Sequence, residues 1–123
     1  MTKTKAHTSF SPLVHEIVKG IDDLKGENVV VLNLSKLENA VCDYFVICEG
    51  NSTTQVSAIA ASVEKKVREN TGEKPWHIEG TTHAEWVLLD YVSVAVHVFQ
   101  RDVRAFYDLE SLWADATVST IEN

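Results

Sequence analysis

The run VSVAVHVF, residues 92–99, is apolar on both sides when it is read as a β-strand. Successive side chains of a strand point to opposite faces of the sheet. Valines then line one side, and Ala95 and Phe99 share the other side with Ser93 and His97. A strand of this kind needs cover on both faces, which strands in the middle of a sheet receive. The run therefore predicts a central strand with packed layers above and below it.

Helix signals occur before this strand. Ser11 followed by Pro12 is typical of a helix start, because serine caps free N–H groups and proline fits the first helical position. Ser52 and Gln55 have the spacing of a capping box at the start of a second helix. In chain order, the sequence predicts a helix, two strands, a helix, three strands and a C-terminal helical segment. The last two strands are close enough along the chain to form an antiparallel hairpin.

This order predicts an α+β fold in which helices flank a mixed five-stranded sheet. The expected strands cover residues 28–34, 43–50, 76–79, 86–91 and 93–99. The chain of 123 residues suits a single domain, which we assign to residues 11–116. Residues 1–10 and 117–123 are predicted to be flexible N-terminal and C-terminal tails.

The formal net charge of −7 argues against nonspecific binding to nucleic acid, because that binding depends on lysine and arginine displacing counterions. An acidic chain still suits a basic protein partner, since complementary charge guides association. The two cysteines, Cys42 and Cys48, are too few for a disulfide framework and favour reduced thiols in the cytoplasm. No apolar run approaches the roughly 20 residues of a membrane-spanning helix, so no membrane partner is expected.

Three patterns bear on cofactor binding or catalysis, and each also has an ordinary structural interpretation. The triplet GNS at residues 50–52 precedes a helix, where free N–H groups bind phosphate, but the same residues form common turns and caps. His77, Glu79 and His83 are zinc-ligand types without the spacing of a dedicated zinc motif. A cysteine beside a histidine can act as a nucleophile, yet Cys48 is predicted to be buried and inert.

Carboxylates near strand ends make a divalent metal site conceivable. A metal-dependent nucleotidyl transferase places two carboxylates at alternate positions of one strand, and no D-x-D or D-x-E pair occurs in the predicted strands. Asp43 and Glu49 are too far apart to share an ion, at about 20 Å along an extended strand. We therefore expect no catalytic residues, no metal and no cofactor.

Residues 85–91 read EWVLLDY and have apolar side chains on both sides of a short strand. Alternation divides the run into two faces, Trp86, Leu88 and Asp90 against Val87, Leu89 and Tyr91. One interpretation places both faces in the core. The other leaves one face uncovered, so that its aromatic and leucine side chains bind a partner, as such residues do at interface hot spots.

Several stretches resemble the ribosomal silencing factors, also known as the Iojap family. They occur in the right order over residues 12–115 and comprise CDYFVICEGNSTTQV, the pair Glu79-Gly80, WVLLDY, VAVHVF and RAFYDLESLW. The resemblance implies a fold related to the nucleotidyl transferases but without their catalytic carboxylates.

The resemblance also implies a function. Family members bind the large ribosomal subunit through its protein fourteen and prevent the small subunit from joining, which slows translation under nutrient limitation or in stationary phase. They are expected to act without a cofactor, and free members often form homodimers. The alternative hypothesis is a small nucleotide-binding enzyme of nucleotidyl transferase-like fold.

The resemblance assigns two groups of residues to roles in this chain. The partner-binding surface is predicted to comprise Trp86, Leu88, Asp90 and Tyr91, with Glu85 at its acidic rim. The C-terminal segment is expected to be held on the sheet by Arg104, Tyr107, Glu110 and Trp113. One departure stands out, because Val92-Ser93 replaces the Gly-Asp usual in the family. Without glycine, a tight type I′ turn at this hairpin tip is strained.

Overall fold

A computed structural model describes residues 10–121 of the chain. Within them, helices and strands follow in the order α1 Pro12–Asp23, β1 Glu27–Asn33, β2 Tyr44–Gly50, α2 Thr53–Thr71, β3 His77–Glu79, β4 Trp86–Asp90, β5 Val94–Gln100, α3 Arg101–Tyr107, α4 Leu109–Leu112 and β6 Thr117–Thr120. None of the helices in this range has the length and apolar character needed to cross a membrane. Residues 1–9, with most of the predicted N-terminal tail, and residues 122–123 lie outside the described residues.

The strands form one mixed sheet in the order β3-β4-β5-β2-β1-β6. The central strands β5 and β2 are parallel, with Val96 opposite Val46, and the other neighbouring pairs are antiparallel. All of residues 94–99 are buried. The structure thus confirms the α+β class, the β4–β5 hairpin and the central position of VAVHVF.

The predicted number of strands is wrong, and so is the predicted start of the C-terminal tail. Residues 117–120 form β6, which pairs antiparallel with β1 and places Val30 opposite Thr120. The next residue, Ile121, donates its N–H to the carbonyl of Val29 at 2.9 Å. The run TVST contains one large apolar residue, so its sequence pattern is weak. This segment forms a strand because the edge of β1 offers unpaired backbone N–H and C=O groups, to which β6 hydrogen-bonds.

Both long helices begin as the sequence predicts and pack on the same face of the sheet. The Ser11 hydroxyl accepts from the Val14 N–H at 3.3 Å, and the Ser52 hydroxyl accepts from the Gln55 N–H at 3.1 Å. Gln55 does more than close a capping box, because its Nε2 also donates to the carbonyl of Leu24 at 3.2 Å. This side chain therefore joins the start of α2 to the end of α1.

The two helices approach each other closely where Gly20 of α1 meets Val63 of α2. A Cβ at Gly20 would lie 2.8 Å from the Cα of Val63, so a larger residue would force the helices apart. Beneath them lies a continuous apolar layer of the sheet. This layer is termed the helix-covered face and includes Val46, Val87, Leu89, Val96 and Val98.

The opposite side of the sheet is covered by shorter pieces of chain. Phe45, Ile47 and Phe99 are buried there in one cluster with Leu109 of α4 and Ala116, which precedes β6. Helices α3 and α4 contain seven and four residues, against 12 and 19 in α1 and α2. Cover on this side therefore comes from short C-terminal segments rather than from a helical layer.

Candidate docking face

Strand β4 divides its side chains between the two sides of the sheet as alternation predicts. Val87 and Leu89 are fully buried on the helix-covered face, whereas Trp86 and Leu88 are half-buried on the other side. That second side is termed the open face and is defined by Phe45, Trp86, Leu88 and His97. Of the two interpretations of EWVLLDY, the arrangement favours the one in which one face is available to a partner.

Tyr91 does not belong to the open face. It is packed into the core of the helix-covered face and is 5% exposed. Burial raises the pKa of its hydroxyl to about 12, and that hydroxyl has no hydrogen-bond partner among the described residues. The assignment of Tyr91 to a partner-binding surface is therefore wrong, because the alternation that turns Trp86 outward turns Tyr91 beneath the helices.

Trp86 lies at the centre of a series of aromatic rings on the open face. Its ring centroid is 4.7 Å from that of Phe99 and 5.0 Å from that of Tyr107. Tyr107 in turn lies 5.1 Å from Phe106, which is 81% exposed. The series therefore runs from the buried sheet to a ring in full contact with solvent.

His97 is the polar member of this ring series. Its Nδ1 accepts from the Nε1–H of Trp86 at 3.1 Å, and its ring lies 4.6 Å from Phe45, which contacts Trp113 at 5.7 Å. Burial lowers the pKa of His97 to about 4, against an opposing effect of the Asp90 carboxylate. His97 is therefore uncharged at neutral pH, and one of its two ring nitrogens is satisfied within the fold.

Two exposed apolar residues extend the open face and were not predicted from the sequence. Phe106 and Val41 are 81% and 74% exposed. Phe106 contacts Tyr107, and Val41 shares a pocket with Leu88. Phe106 lies on α3, where the buried residue is Arg104, and its aromatic ring is left exposed to solvent.

The two acidic residues predicted for the rim differ in their surroundings. Glu85 is exposed immediately before β4. Asp90 is half-buried at the other end of the strand, and its Oδ1 accepts from the Val92 N–H at 2.8 Å. Asp90 therefore supports the hairpin tip in addition to any contact with a partner.

The hairpin tip differs from the type I′ turn considered for the sequence. Val92 has a φ of +74°, and the Ser93 N–H donates to the carbonyl of Tyr91 at 2.9 Å. These features define a three-residue γ-turn with a strained central residue. A β-branched side chain here occupies the left-handed region that favours glycine. The expected strain is thus concentrated at Val92.

An ion-pair network centred on the buried Arg104 and Glu49 links the C-terminal segment to the sheet. Arg104 Nη1 lies 3.1 Å from Glu49 Oε1 and donates to the carbonyl of Asn28 at 2.7 Å. Its Nη2 lies 2.8 Å from Glu110 Oε2, and Arg101 Nε contacts the second Glu49 oxygen at 3.2 Å. The anchoring role expected for Arg104 and Glu110 stays a prediction, which these contacts support.

The other residues considered for chemistry have structural positions. Cys48 is buried, and that burial raises the pKa of its thiol to about 12. His77 and Glu79 pair with each other on the surface, with 2.6 Å between Nε2 and Oε2. Ser52 caps α2. In the part of the chain that the structure describes, no three histidine, cysteine or acidic side chains are grouped so that they could hold a metal ion.

Comparison with known sequences gives this fold a family. A family described as "Ribosomal silencing factor during starvation" matches residues 7–123. The chain is 44% identical to the ribosomal silencing factor of Halalkalibacterium halodurans over 114 aligned residues. The alignment covers 93% of this chain and 96% of that one. This chain belongs to the ribosomal silencing factor family. The corresponding protein of Bacillus subtilis is 42% identical over 101 residues, 82% of this chain and 84% of its own.

Solved structures agree with this family assignment. A crystal structure from Chromobacterium violaceum superposes with a TM-score of 0.78 at 35% identity, over 83% of each chain. A second, from Bacillus halodurans, has a TM-score of 0.74 at 42% identity and covers 90% of this chain and 97% of that one. The resemblance carried by CDYFVICEGNSTTQV, WVLLDY and RAFYDLESLW is therefore confirmed. Ribosomal silencing factors are not enzymes, so the alternative of a nucleotide-binding enzyme is set aside.

Proposed function

We propose that this protein occupies the large ribosomal subunit with its open face and contacts protein fourteen of that subunit. As a ribosomal silencing factor, it blocks the joining of the ribosomal subunits during starvation. The observation that carries the proposed contact is the half-covered side of the sheet. There, Trp86 and Leu88 remain partly exposed beside the more exposed Phe106 and Val41.

The composition of the open face favours a protein partner. Tryptophan and tyrosine supply much of the binding energy at protein interfaces, most strongly near the centre of the buried area. Trp86 is supported from below by Phe99 and flanked by Tyr107, so it presents a rigid aromatic surface. A specific interface buries about 800 Å² on each partner. The ring series and the exposed residues around it provide an apolar centre for such an area.

Charge favours a basic partner on this face. The chain carries a net charge of −7, and Glu85 and Asp90 lie at the two ends of β4. Acidic side chains at the rim attract lysine and arginine of a basic protein and so guide association. Asp90 is limited in this role, because one of its oxygens already accepts from the Val92 N–H. Glu85 is the freer of the two for contact with a cation.

The proposed repression requires no chemistry. Once the open face is docked, the helix-covered side projects from the large subunit and prevents the small subunit from approaching. Each molecule blocks one large subunit, and the site of action is the cytoplasm. We also propose that the sheet is related to that of the nucleotidyl transferases. Glu49, the carboxylate near the end of β2, is bound by Arg101 and Arg104 instead of facing an open site.

A homodimer that buries the open face is a further part of the proposal. The apolar residues that suit a ribosomal partner also suit a second copy of the chain in its absence. Sizing over a range of concentrations tests this point, with Leu88→Ala beside the wild type. A dimer through the open face weakens in the variant, whereas a concentration-independent monomer contradicts this part of the proposal.

Sedimentation of mixed ribosomal subunits, at fixed magnesium and salt, tests the proposed function. With the purified protein present, free subunits are expected to accumulate and the protein to travel with the large subunit. Crosslinking in that fraction is expected to join the open face to protein fourteen. Normal joining of the subunits, with the protein left at the top of the gradient, contradicts the proposal. A crosslink from the open face to a different large-subunit protein corrects the identity of the partner.

A further inference from the structure

A small pocket lies on the open face beside Leu88. It has a volume of about 230 Å³ and is lined by Val41, Cys42, Phe45, Leu88, Asp90, Ala95 and His97. Val41 is exposed, Leu88 belongs to the proposed docking surface, and most of the other lining side chains are apolar. The pocket is therefore continuous with the surface that the proposed function assigns to a partner.

The hydrogen bond between Trp86 and His97 fixes where the imidazole carries its proton. An indole N–H only donates, so the His97 Nδ1 that lies 3.1 Å from Trp86 Nε1 must be the acceptor. A neutral imidazole has one proton, which is then on Nε2. Burial keeps the ring neutral at ordinary pH by lowering its pKa. His97 consequently carries a single free donor, its Nε2–H.

This donor has no hydrogen-bond partner among the described residues. His97 is 6% exposed, and its Nε2 is fully buried. A buried donor without a partner costs about 1–3 kcal/mol, so folded proteins rarely retain one. The nearest ring, that of Phe45, lies edge to face with the imidazole and offers no oxygen or nitrogen acceptor.

The residues around the pocket limit which kind of hydrogen-bond acceptor the His97 Nε2–H can take. The apolar walls disfavour a charged group, since a buried charge needs a partner of opposite charge. The Asp90 carboxylate also lines the pocket and repels an anionic acceptor. The remaining class of acceptor is a neutral oxygen, from a carbonyl or a hydroxyl group, on an otherwise apolar group.

We propose that the lining of this pocket shifts on docking so that the buried His97 Nε2 becomes reachable, that the pocket receives an apolar group of the ribosomal protein partner that carries a neutral acceptor oxygen, and that the His97 Nε2–H donates to that oxygen. The proposal rests on the proposed function and makes His97 a specificity-determining residue of the docking face. Trp86 has two roles in this arrangement. It contributes apolar surface to the interface, and it holds the imidazole in the tautomer that donates.

Imidazole NMR of the histidine-labelled protein tests the hydrogen bond directly. In the free protein, Nδ1 of His97 is expected to be unprotonated and Nε2 protonated. Addition of isolated protein fourteen to saturation is expected to move the Nε2–H proton resonance downfield. A resonance that stays in place at saturation contradicts the proposal, because it shows that the donor gains no acceptor on binding. A free protein with the proton on Nδ1 contradicts it as well.

Binding of variants to large ribosomal subunits provides a second readout. His97→Phe keeps a ring of similar size and removes the donor, so its affinity is expected to fall about tenfold. His15→Phe is the matched control, because His15 lies on α1 over the opposite face, and the affinity of this variant is expected to stay unchanged.

Equal binding by His97→Phe and wild type overturns the inference while leaving the proposed function intact. If the wild type binds neither the subunits nor protein fourteen, the proposed function fails and the inference fails with it. In the case that His97→Phe does not fold, the NMR measurement on the wild-type protein tests the inference instead.

Discussion

The two faces of the sheet are covered by different kinds of structure. On the helix-covered face, α1 and α2 bury every large apolar side chain of β4 and β5 that points toward them. On the open face, short segments around Leu109 and Ala116 cover the sheet near Phe45 and Phe99, while Trp86 and Leu88 stay half-buried. A single strand, β4, thus contributes to stability with one set of side chains and is available for binding with the other.

The comparison shows that partly exposed surface and core can alternate residue by residue. Leu88 and Leu89 are neighbours of the same type, yet one is half-buried on the open face and the other is 1% exposed beneath the helices. Polar groups differ between the faces too. The open side holds the Arg104–Glu49 pair and the Trp86–His97 hydrogen bond, whereas the core of the other side is almost wholly apolar.

The largest expected effect comes from breaking the ion pair that fixes the C-terminal cover. Arg104→Met keeps much of the side-chain volume but leaves the Glu49 carboxylate buried with a single arginine neighbour, Arg101. The free energy of unfolding is expected to fall by about 3 kcal/mol or more. Urea unfolding measures this, and Lys65→Met on the outer side of α2 serves as the control. A loss in Arg104→Met no greater than in the control would show that the open side needs no anchor.

Adjacent leucines of β4 separate stability from binding most cleanly. Leu89→Ala is expected to lower the free energy of unfolding by about 3 kcal/mol, since it leaves a cavity in the core. Leu88→Ala is expected to cost about 1 kcal/mol, because its side chain is only partly removed from water. In binding to large subunits the order reverses, and the folded Leu88→Ala protein is the weaker binder. Similar stability losses in the two variants would remove the distinction between the faces.

Protonation of His97 on the open face is expected to make the free energy of unfolding depend on pH. Burial lowers the pKa of His97 from 6.5 to about 4, so as pH falls the unfolded chain binds this proton first. The His97 contribution therefore lowers the free energy of unfolding between about pH 6.5 and pH 4, by up to about 3 kcal/mol. Above pH 6.5, His97 is unprotonated in both the folded and the unfolded state, so it makes no contribution to the pH dependence.

Urea unfolding of wild type and His97→Phe from pH 7.5 to 4.5 isolates this contribution. The wild-type curve is expected to fall more steeply with decreasing pH, since the variant lacks the titrating group. Parallel curves would mean that His97 is accessible to protons in the folded state and is not part of a buried cluster.

The smallest effect is expected at the hairpin tip between the faces. Val92→Gly removes a β-branched side chain from a φ of +74°, where it is strained, and Val92 is largely exposed. Relief of the strain outweighs the greater flexibility of the unfolded chain, so the variant is expected to gain about 1 kcal/mol. Thermal unfolding measures the gain, with Ser93→Gly as a control. A destabilised Val92→Gly would mean that the turn is held without strain.

Much of this architecture is predictable because it depends on local patterns. The caps at Ser11 and Ser52, the β4 alternation and the central valine-rich strand depend on spacing within a few residues, and the structure confirms them. The errors concern tertiary context. β6 forms because the edge strand β1 has backbone groups free to pair with it, and the local pattern of TVST does not predict that pairing.

The candidate site was predictable only in part for the same reason. Alternation selects Trp86 and Leu88 correctly as a shared face, and the same rule places Tyr91 under the helices. Helical spacing does not show that α3 buries Arg104 and leaves Phe106 exposed. The proximity of His97 to Trp86 depends on the register of β4 against β5, which places Leu88 opposite His97 and Trp86 opposite Phe99.

The most direct test of the central claim compares two tryptophans in binding to large ribosomal subunits. Trp86 lies within the ring series of the open face, whereas Trp76 is 80% exposed before β3 and contacts none of those rings. With folding checked by circular dichroism, Trp86→Ala is expected to weaken binding about 30-fold or more, and Trp76→Ala to leave it unchanged. Wild-type affinity in Trp86→Ala, or an equal loss in both variants, would contradict the assignment of the open face as the docking surface.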